Sequence, residues 1–170
     1  MIGGSIPQEL VPSVENGIKI QKDSGLKAGF PIIDFKATLL DGDFHEIDSN
    51  PLTFDIAARA AFRELTTKGT VLLLEPIMKV EAVTPEEYLG SVIGDLNSRR
   101  GHILRMDARG NEQVIFATAP MSAMFGFSHS LHAATHGRGR CALAYDHYEA
   151  VPDRNDDDPR FPGAAAMRVA

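Results

Sequence analysis

The sequence contains only one cysteine, Cys141, so an internal disulfide is impossible. A chain of this kind suits a reducing compartment. The sequence also has no apolar run that approaches the roughly 20 residues of a membrane-spanning helix. Its N-terminus lacks the charged and apolar regions of a signal peptide. These absences together predict a cytoplasmic protein with no membrane partner.

The chain is acidic, with a formal net charge of −6 over 170 residues. That balance argues against a general nucleic-acid binder, because the phosphate backbone attracts basic surfaces. The charge is distributed unevenly, however, since residues 97–140 contain six arginines and only two acidic residues. A locally basic surface is therefore compatible with the acidic chain.

The second half of the chain changes its hydrophobic period in a regular order. An alternating apolar run that begins at Val71 is followed by Thr84-Pro85-Glu86-Glu87, which is typical of a helix start with Thr84 as the N-cap. This helix is expected to end at Arg99-Arg100-Gly101. The remaining predicted elements are, in order, a strand over 103–107, a strand over 113–119, a helix from near Pro120 to Gly137 and a strand over 141–148. The order β-α-β-β-α-β predicts an α+β fold, the ferredoxin-like sandwich.

Residues 1–70 predict the order helix, strand, helix. Ser5-Ile6-Pro7-Gln8 has the pattern of a capping box that opens the first helix. Residues 33–39 alternate apolar and polar side chains, as a half-buried strand does, and Asn50-Pro51 starts the second helix. One strand cannot form a sheet by itself. Either this strand pairs with another chain or segment, or its partner strands lie upstream.

Seven short segments of the chain resemble translation elongation factor G. They are GGSIP (3–7), GDFHEIDS (42–49), LEPIMKVE (74–81), TPEEY (84–88), GDLNSRRG (94–101), SAMFGF (122–127) and GRG (137–139). The resemblance covers about residues 2–152. It implies that residues 1–70 are the C-terminal half of domain four, whose βαβ-type fold has a left-handed crossover and whose leading strands lie upstream. It also implies that residues 71–152 are the ferredoxin-like domain five, and residues 153–170 are expected to be an acidic flexible tail.

The resemblance implies a role in GTP-driven translocation of tRNA and mRNA on the ribosome. In the family, the tip of domain four enters the decoding site, and domain five lies near the factor-binding centre of the large subunit. The expected partners are therefore ribosomal RNA, the tRNA–mRNA pair and the upstream domains of the parent protein. GTP and magnesium are cofactors of that parent. This chain has no GxxxxGKS/T loop, so we expect no GTP hydrolysis by the chain itself.

Two sets of residues are the candidate contacts with RNA. The resemblance places Asp43 and His45 in the tip loop that meets the tRNA–mRNA duplex, although an ordinary polar loop residue is the alternative for His45. The candidate contacts with ribosomal RNA are Arg99, Arg100, Arg138 and Arg140. Arg99 and Arg100 also suit the negative end of a helix dipole, so a structural role is the alternative for them.

Three histidines, His129, His132 and His136, occupy positions i, i+3 and i+7 of the second predicted helix. This spacing places them on one helical face, but no HExxH motif accompanies them, and we predict no metal site. The family more often has an Asp and an Arg near positions 130 and 132, so the helix indicates a divergent copy. The aromatic residues Phe116, Phe125, Phe127 and Tyr145 are interpreted as core residues rather than as a base-stacking platform.

Other functions compete with this interpretation. A ribosomal protection protein shares the same architecture, but nothing in residues 41–48 favours it. A ribosome-recycling paralogue is a further alternative. A stand-alone ferredoxin-like protein that binds a metal or another ligand is supported only by the three histidines.

Overall fold

A computed structural model of the chain describes residues 6–26, 29–152 and 166–169. The chain divides into an N-terminal unit, Met1–Leu73 with Ala165–Ala170, and a C-terminal unit, Leu74–Ala164. The helices are α1 (Val11–Ser24), α2 (Pro51–Arg63), α3 (Leu65–Lys68), α4 (Leu89–Ser98) and α5 (Phe127–Ala134), with single 3-10 turns at Gln8–Leu10, Glu86–Tyr88 and Met121–Ala123. The strands are β1 (Val71–Pro85), β2 (His102–Arg109), β3 (Glu112–Pro120), β4 (Arg140–Ala150) and β5 (Ala166–Val169).

The C-terminal unit contains an antiparallel sheet in the order β2-β3-β1-β4. The two inner strands are thus the first and third of the unit, and helices α4 and α5 follow them in the chain. This topology confirms the predicted ferredoxin-like sandwich.

The core of the C-terminal unit lies where the two helices meet one face of the sheet. Helix α4 contributes Val92 and Leu96, and helix α5 contributes Phe127 and Leu131. Each pair is spaced i, i+4, so both side chains lie on the same helical face. They pack with β1 residues such as Val80, which is 2% exposed.

The predicted starts of both helices in this unit are wrong. Thr84 still belongs to the ladder, opposite Gln113 on β3, and its hydroxyl donates to the Pro85 carbonyl rather than capping a helix. Sheet pairing therefore carries β1 past the expected N-cap. Helix α5 begins only at Phe127, because Gly126 before it has a φ of 75°, a left-handed conformation that ends a helix rather than continuing it.

In the N-terminal unit, the core includes Ile32 and Phe62, which are 0% and 6% exposed. The predicted start of α2 is confirmed: the Asn50 side-chain oxygen accepts a 3.0 Å hydrogen bond from the Thr53 amide. The predicted capping box depends on Ser5, which lies outside the described residues. A 3-10 turn at Gln8–Leu10 leads into α1.

The strand predicted over 33–39 is not paired into a ladder within the part of the chain that the structure describes. Only Ile32 forms an isolated bridge. A ladder needs a partner backbone for its N–H and C=O groups, and residues 36–41 are instead exposed. Phe35 is held by its edge-on contact with Phe62, with ring centroids 5.4 Å apart. Helices α1 and α2 and residues 34–43 line a cleft of about 800 Å³.

Most of the predicted acidic tail, 153–165 and 170, lies outside the described residues. Residues 166–169 differ from the prediction, because they form β5, which pairs with β1. Among the helices of the described residues, none is long and apolar enough to cross a membrane.

Replacing Gly17 with alanine is expected to destabilise the N-terminal unit. A Cβ atom at this position of α1 would lie 2.5 Å from the backbone oxygen of Asp55 and 3.1 Å from the Cβ atom of Ala58, both on α2. Backbone atoms cannot move aside without a large energetic cost, so we expect the free energy of opening of the N-terminal unit to fall by about 2 kcal/mol. Amide hydrogen exchange of α1 and α2 measures this loss in the N-terminal unit alone.

The matched control is Gly94→Ala in α4, where an added Cβ meets no atom within 4 Å. Alanine in an open helical position is expected to stabilise the C-terminal unit by about 0.5–1 kcal/mol. Equal effects of the two substitutions would contradict the close packing of α1 on α2.

Candidate nucleic-acid contact residues

His45 lies in a closed turn of five residues, 45–49. The amide of His45 donates a hydrogen bond to Ser49 Oγ, and the amide of Ser49 donates to the His45 carbonyl, each at 2.9 Å. The side chains of Asp43 and His45 are exposed. The turn therefore presents the imidazole to solvent, where it can donate to a phosphate or a 2′-hydroxyl.

The turn is tied to the first turn of helix α2. Thr53 Oγ1 donates to the carbonyl of Asp48 at 3.2 Å, while the Thr53 amide donates to the side chain of Asn50. Prediction from the sequence found the helix start but not this coupling. In the sequence, the only indication of this coupling is the cluster of Ser49, Asn50 and Thr53 around the N-cap position.

Arg99, a predicted contact with ribosomal RNA, is engaged within the C-terminal unit. Its guanidinium donates to Asp95 at 2.9 Å and to the carbonyls of Ala123 and Phe125 at 2.8 and 3.1 Å. Its side chain is 19% exposed and lies over the ring of Phe127. The geometry therefore favours the structural alternative for this residue.

Arg100 ends helix α4 in a left-handed conformation, with a φ of 63°. This conformation directs its guanidinium to the carboxylate of Glu75 through two hydrogen bonds of 2.5 and 3.3 Å. Glu75 is only 3% exposed, whereas the Arg100 side chain is 46% exposed. Arg100 thus neutralises a buried carboxylate, and only the exposed part of its side chain is accessible to another partner.

Arg138 and Arg140 are more exposed, at 52% and 63% of their side chains. Arg138 contacts Glu87 and the hydroxyl and ring of Tyr88. Arg140 donates two hydrogen bonds to the carboxylate of Glu112, at 2.8 and 3.0 Å, as a bidentate pair. These carboxylates raise the pKa of each arginine, chiefly through the hydrogen bond in both cases.

The four arginines do not form one continuous basic patch. Arg138 contacts Glu87 and Tyr88, which directly precede α4, whereas Arg99 and Arg100 directly follow it. A helix of ten residues, such as α4, is about 15 Å long. Arg138 is therefore separated from Arg99 and Arg100 by the length of this helix.

The ion pair between Arg140 and Glu112 should make the stability of the protein depend slightly on pH in the acidic range. The hydrogen bond from Arg140 lowers the pKa of the Glu112 carboxyl below its usual value. The folded state therefore favours the carboxylate, so this stabilisation is present above the unfolded pKa of about 4.3 and disappears as the pH falls through the folded pKa. An NMR titration of Glu112 should show its pKa rising towards the usual value in Arg140→Ala. An unchanged pKa would contradict the contact.

The three histidines do not share one helical face. Helix α5 ends at Ala134, and His136 follows in a left-handed conformation with a φ of 52°. His136 instead packs edge-on against Tyr88, with ring centroids 5.7 Å apart, while His129 and His132 are exposed on α5. Within the described ranges, no three His, Cys, Asp or Glu side chains are grouped to hold a metal ion.

The interpretation of the four aromatic residues as core residues is correct only in part. Phe127 is fully buried, but Phe125 is 67% exposed and Tyr145 is 55% exposed. Phe116 is half-buried, and the guanidinium of Arg105 lies over its ring at 3.8 Å from the centroid. Apolar neighbours in the sequence did not distinguish these environments. Strand pairing decides which face of the sheet Phe116 and Tyr145 occupy, whereas Phe125 lies between the 3-10 turn at Met121–Ala123 and α5.

Two family models together match nearly all of residues 1–159. Residues 1–70 match the model described as elongation factor G, domain IV, and residues 72–159 match the model described as elongation factor G C-terminus. With the ferredoxin-like C-terminal unit, these matches define a protein of the translation elongation factor class. The chain belongs to the elongation factor G family.

The chain is also similar to a protein of the bacterium Thermus thermophilus whose crystal structure is known. The two sequences are 38% identical, and the structures agree with a TM-score of 0.81 over 89% of this chain. The chain spans 23% of the length of that protein.

Proposed function

We propose that the chain is the ribosome-binding C-terminal region of a translational GTPase that promotes GTP-dependent translocation of tRNA and mRNA in the cytoplasm. The observation that carries this proposal is the succession of two elongation factor G matches, which cover residues 1–70 and 72–159. Hydrolysis of GTP, with magnesium, is assigned to the part of the parent protein outside this chain.

The cleft of the N-terminal unit supports the proposal that this unit is one part of a larger domain. The half-buried apolar side chains of Ile18 and Phe54 line it, beside the buried Val14 and Phe62. Helices α1 and α2 bury their apolar faces fully only when another layer covers them. We assign that role to strands of the parent protein upstream of this chain.

The exposed turn, together with Asp43 just before it, is the proposed contact with the tRNA–mRNA duplex. His45 donates from its imidazole, and the carboxylate of Asp43 accepts from hydroxyl or amino groups. The closed form of the turn supports this role, because the two hydrogen bonds between His45 and Ser49, one to the Ser49 hydroxyl and one between backbone groups, fix the loop before it binds.

The proposed contacts with ribosomal RNA are made chiefly by Arg138 and Arg140. Their carboxylate partners lie at the surface, so a phosphate can replace Glu87 or Glu112 without leaving a buried charge unpaired. Arg100 contributes less to the proposed RNA contact. Arg99 has a structural role instead, because it holds α4 to the turn that precedes α5.

Competition for ribosomes tests the proposal. An excess of this chain is expected to displace labelled full-length elongation factor G at low salt, and the displacement should weaken as salt rises, because phosphate contacts release counterions. His45→Ala should weaken the displacement, whereas Lys19→Ala, an exposed change on α1, should not. A folded chain that fails to compete at low salt would overturn the proposed function.

A further inference from the structure

The open face of the C-terminal sheet is the face that points away from α4 and α5. On β3, Ile115 and Ala117 belong to the core on the helix side and are 0% and 1% exposed. Successive side chains of a strand point to opposite faces, so Phe116, which lies between them, is on the open face. Its half-buried ring is therefore part of the sheet surface rather than of the core.

A β-bulge in β2 places an arginine on this ring. Ile103 lies opposite Ala117 and packs against the core, whereas Arg105 lies opposite Phe116, because the register shifts between residues 103 and 105. In a regular strand these two residues would share a face. The bulge instead sends Arg105 to the open face, where its guanidinium lies 3.8 Å from the centroid of the Phe116 ring. Bulges that redirect a side chain in this way often accompany functional sites.

The stack of Arg105 on Phe116 is open to a further planar group. The Arg105 side chain is 60% exposed, and a guanidinium is planar and stacks on aromatic rings and on nucleobases. The next residues across the sheet from Phe116 are Glu81 on β1 and then Ala142 on β4. Ala142 is exposed and its side chain is small, so this row of the sheet leaves room for a ring to lie on it.

The charges around the stack restrict the chemistry of the ligand. Asp107 contacts the guanidinium from β2, and Glu81 lies opposite Phe116 on β1. Carboxylates accept hydrogen bonds from the amino groups of bases but repel phosphates. Lys79 lies on the same face two residues before Glu81, and its side chain is 63% exposed, with donors beyond its contact with Asp146. These charges favour a base at the centre of the face and its phosphate near Lys79.

We propose that the open face binds an unpaired purine base of single-stranded RNA, which stacks on the guanidinium of Arg105 above the ring of Phe116. Glu81 and Asp107 accept hydrogen bonds from the amino group of the base, and Lys79 contacts its phosphate. This site goes beyond the proposed function, which assigns the RNA contacts to other surfaces of the chain.

The site favours an unpaired purine over other planar groups. A base in a duplex is covered by its neighbours on both faces, whereas an unstacked base in a single strand can lie on an aromatic ring or a guanidinium. The two fused rings of a purine cover more of the stack than a pyrimidine does. RNA-recognition motifs use a four-stranded sheet in the same way, with bases stacked on its aromatic side chains.

Substitution of Arg105 by lysine tests the stack. The probe is a fluorescein-labelled pentaribonucleotide, UUAUU, titrated with the 170-residue chain and followed by fluorescence anisotropy. Arg105→Lys keeps the charge but removes the planar group, so binding should weaken about tenfold, as expected for one stacked base. Arg109→Lys is the control, because it makes the same change at the hairpin end of the same strand, opposite Glu112, and should bind as the unsubstituted chain does. An equal effect of both substitutions, or no effect of Arg105→Lys, would overturn the stack.

The choice of base is tested with the same assay. UUAUU should bind about tenfold more tightly than UUUUU. Phe116→Leu should remove this preference, because leucine keeps the surface apolar but has no aromatic ring. An unlabelled RNA duplex should not displace UUAUU. Equal binding of the two pentamers, or displacement by the duplex as effective as by unlabelled UUAUU, would overturn the assignment to an unpaired purine.

NMR locates the bound RNA on the chain. Addition of UUAUU should shift the amide signals of β1, β2 and β3 around Glu81, Arg105 and Phe116. Shifts confined to α4 and α5, or to the N-terminal unit, would overturn the assignment to the open face. If the chain competes with elongation factor G for ribosomes but does not bind UUAUU, this inference fails and the proposed function stands.

Discussion

Replacement of Phe127 with alanine is expected to cost the C-terminal unit about 4 kcal/mol in its free energy of unfolding. Phe127 is fully buried and belongs to the cluster that joins α4 and α5 to the sheet. Its removal leaves a cavity and also takes away the ring beneath the guanidinium of Arg99. Urea denaturation measures the loss in unfolding free energy, and amide hydrogen exchange of β1 and β3 shows that the loss lies in the C-terminal unit.

Phe125 provides the matched control, because it is the same residue type two positions earlier in the chain. Its side chain is 67% exposed, so Phe125→Ala should change stability by no more than about 0.5 kcal/mol. A larger loss from Phe125→Ala than from Phe127→Ala would contradict the placement of α5.

Replacement of Arg100 with alanine is expected to cost about 3 kcal/mol, since breaking a buried ion pair leaves the other charge without a partner. The partner is Glu75, which is 3% exposed and accepts both hydrogen bonds from the guanidinium. Its other contact is a 3.4 Å hydrogen bond from Ser122, which cannot neutralise the charge. The measurement is again the unfolding free energy of the C-terminal unit.

Two comparisons separate this structural role from a contact with RNA. The double variant Arg100→Ala with Glu75→Gln removes the buried charge as well, so it should recover part of the lost stability. Arg140→Ala removes an arginine whose partner Glu112 lies at the surface, and it should change stability little while weakening ribosome competition. The opposite pattern would reverse the roles assigned to Arg100 and Arg140.

The order of elements in the C-terminal unit could be predicted because hydrophobic period is a local property of the sequence. The apolar positions of α4, including Val92 and Leu96, show the helical spacing directly, and both are buried. Thr84 could not be assigned correctly, because its place in β1 depends on pairing with Gln113, which is distant in the sequence. Long-range pairing therefore limits prediction at the ends of elements.

The candidate contacts could be predicted only as residue types. The motif around His45 located the exposed turn, but the hydrogen bonds that close it involve Ser49 and become visible only in the folded loop. Arg99 and Arg100 are adjacent in the sequence, yet they have different roles. Arg99 binds the turn that precedes α5, whereas Arg100 neutralises the buried carboxylate of Glu75. The sequence shows that positive charge is present but not which carboxylates already compensate it.

Co-sedimentation of the 170-residue chain with ribosomes tests the central claim most directly. At low salt the chain should pellet with ribosomes, and full-length elongation factor G should release it. Raising the salt concentration should also release the chain, with the steep dependence expected of phosphate contacts. A folded chain that stays in the supernatant at low salt would contradict its assignment as a ribosome-binding region.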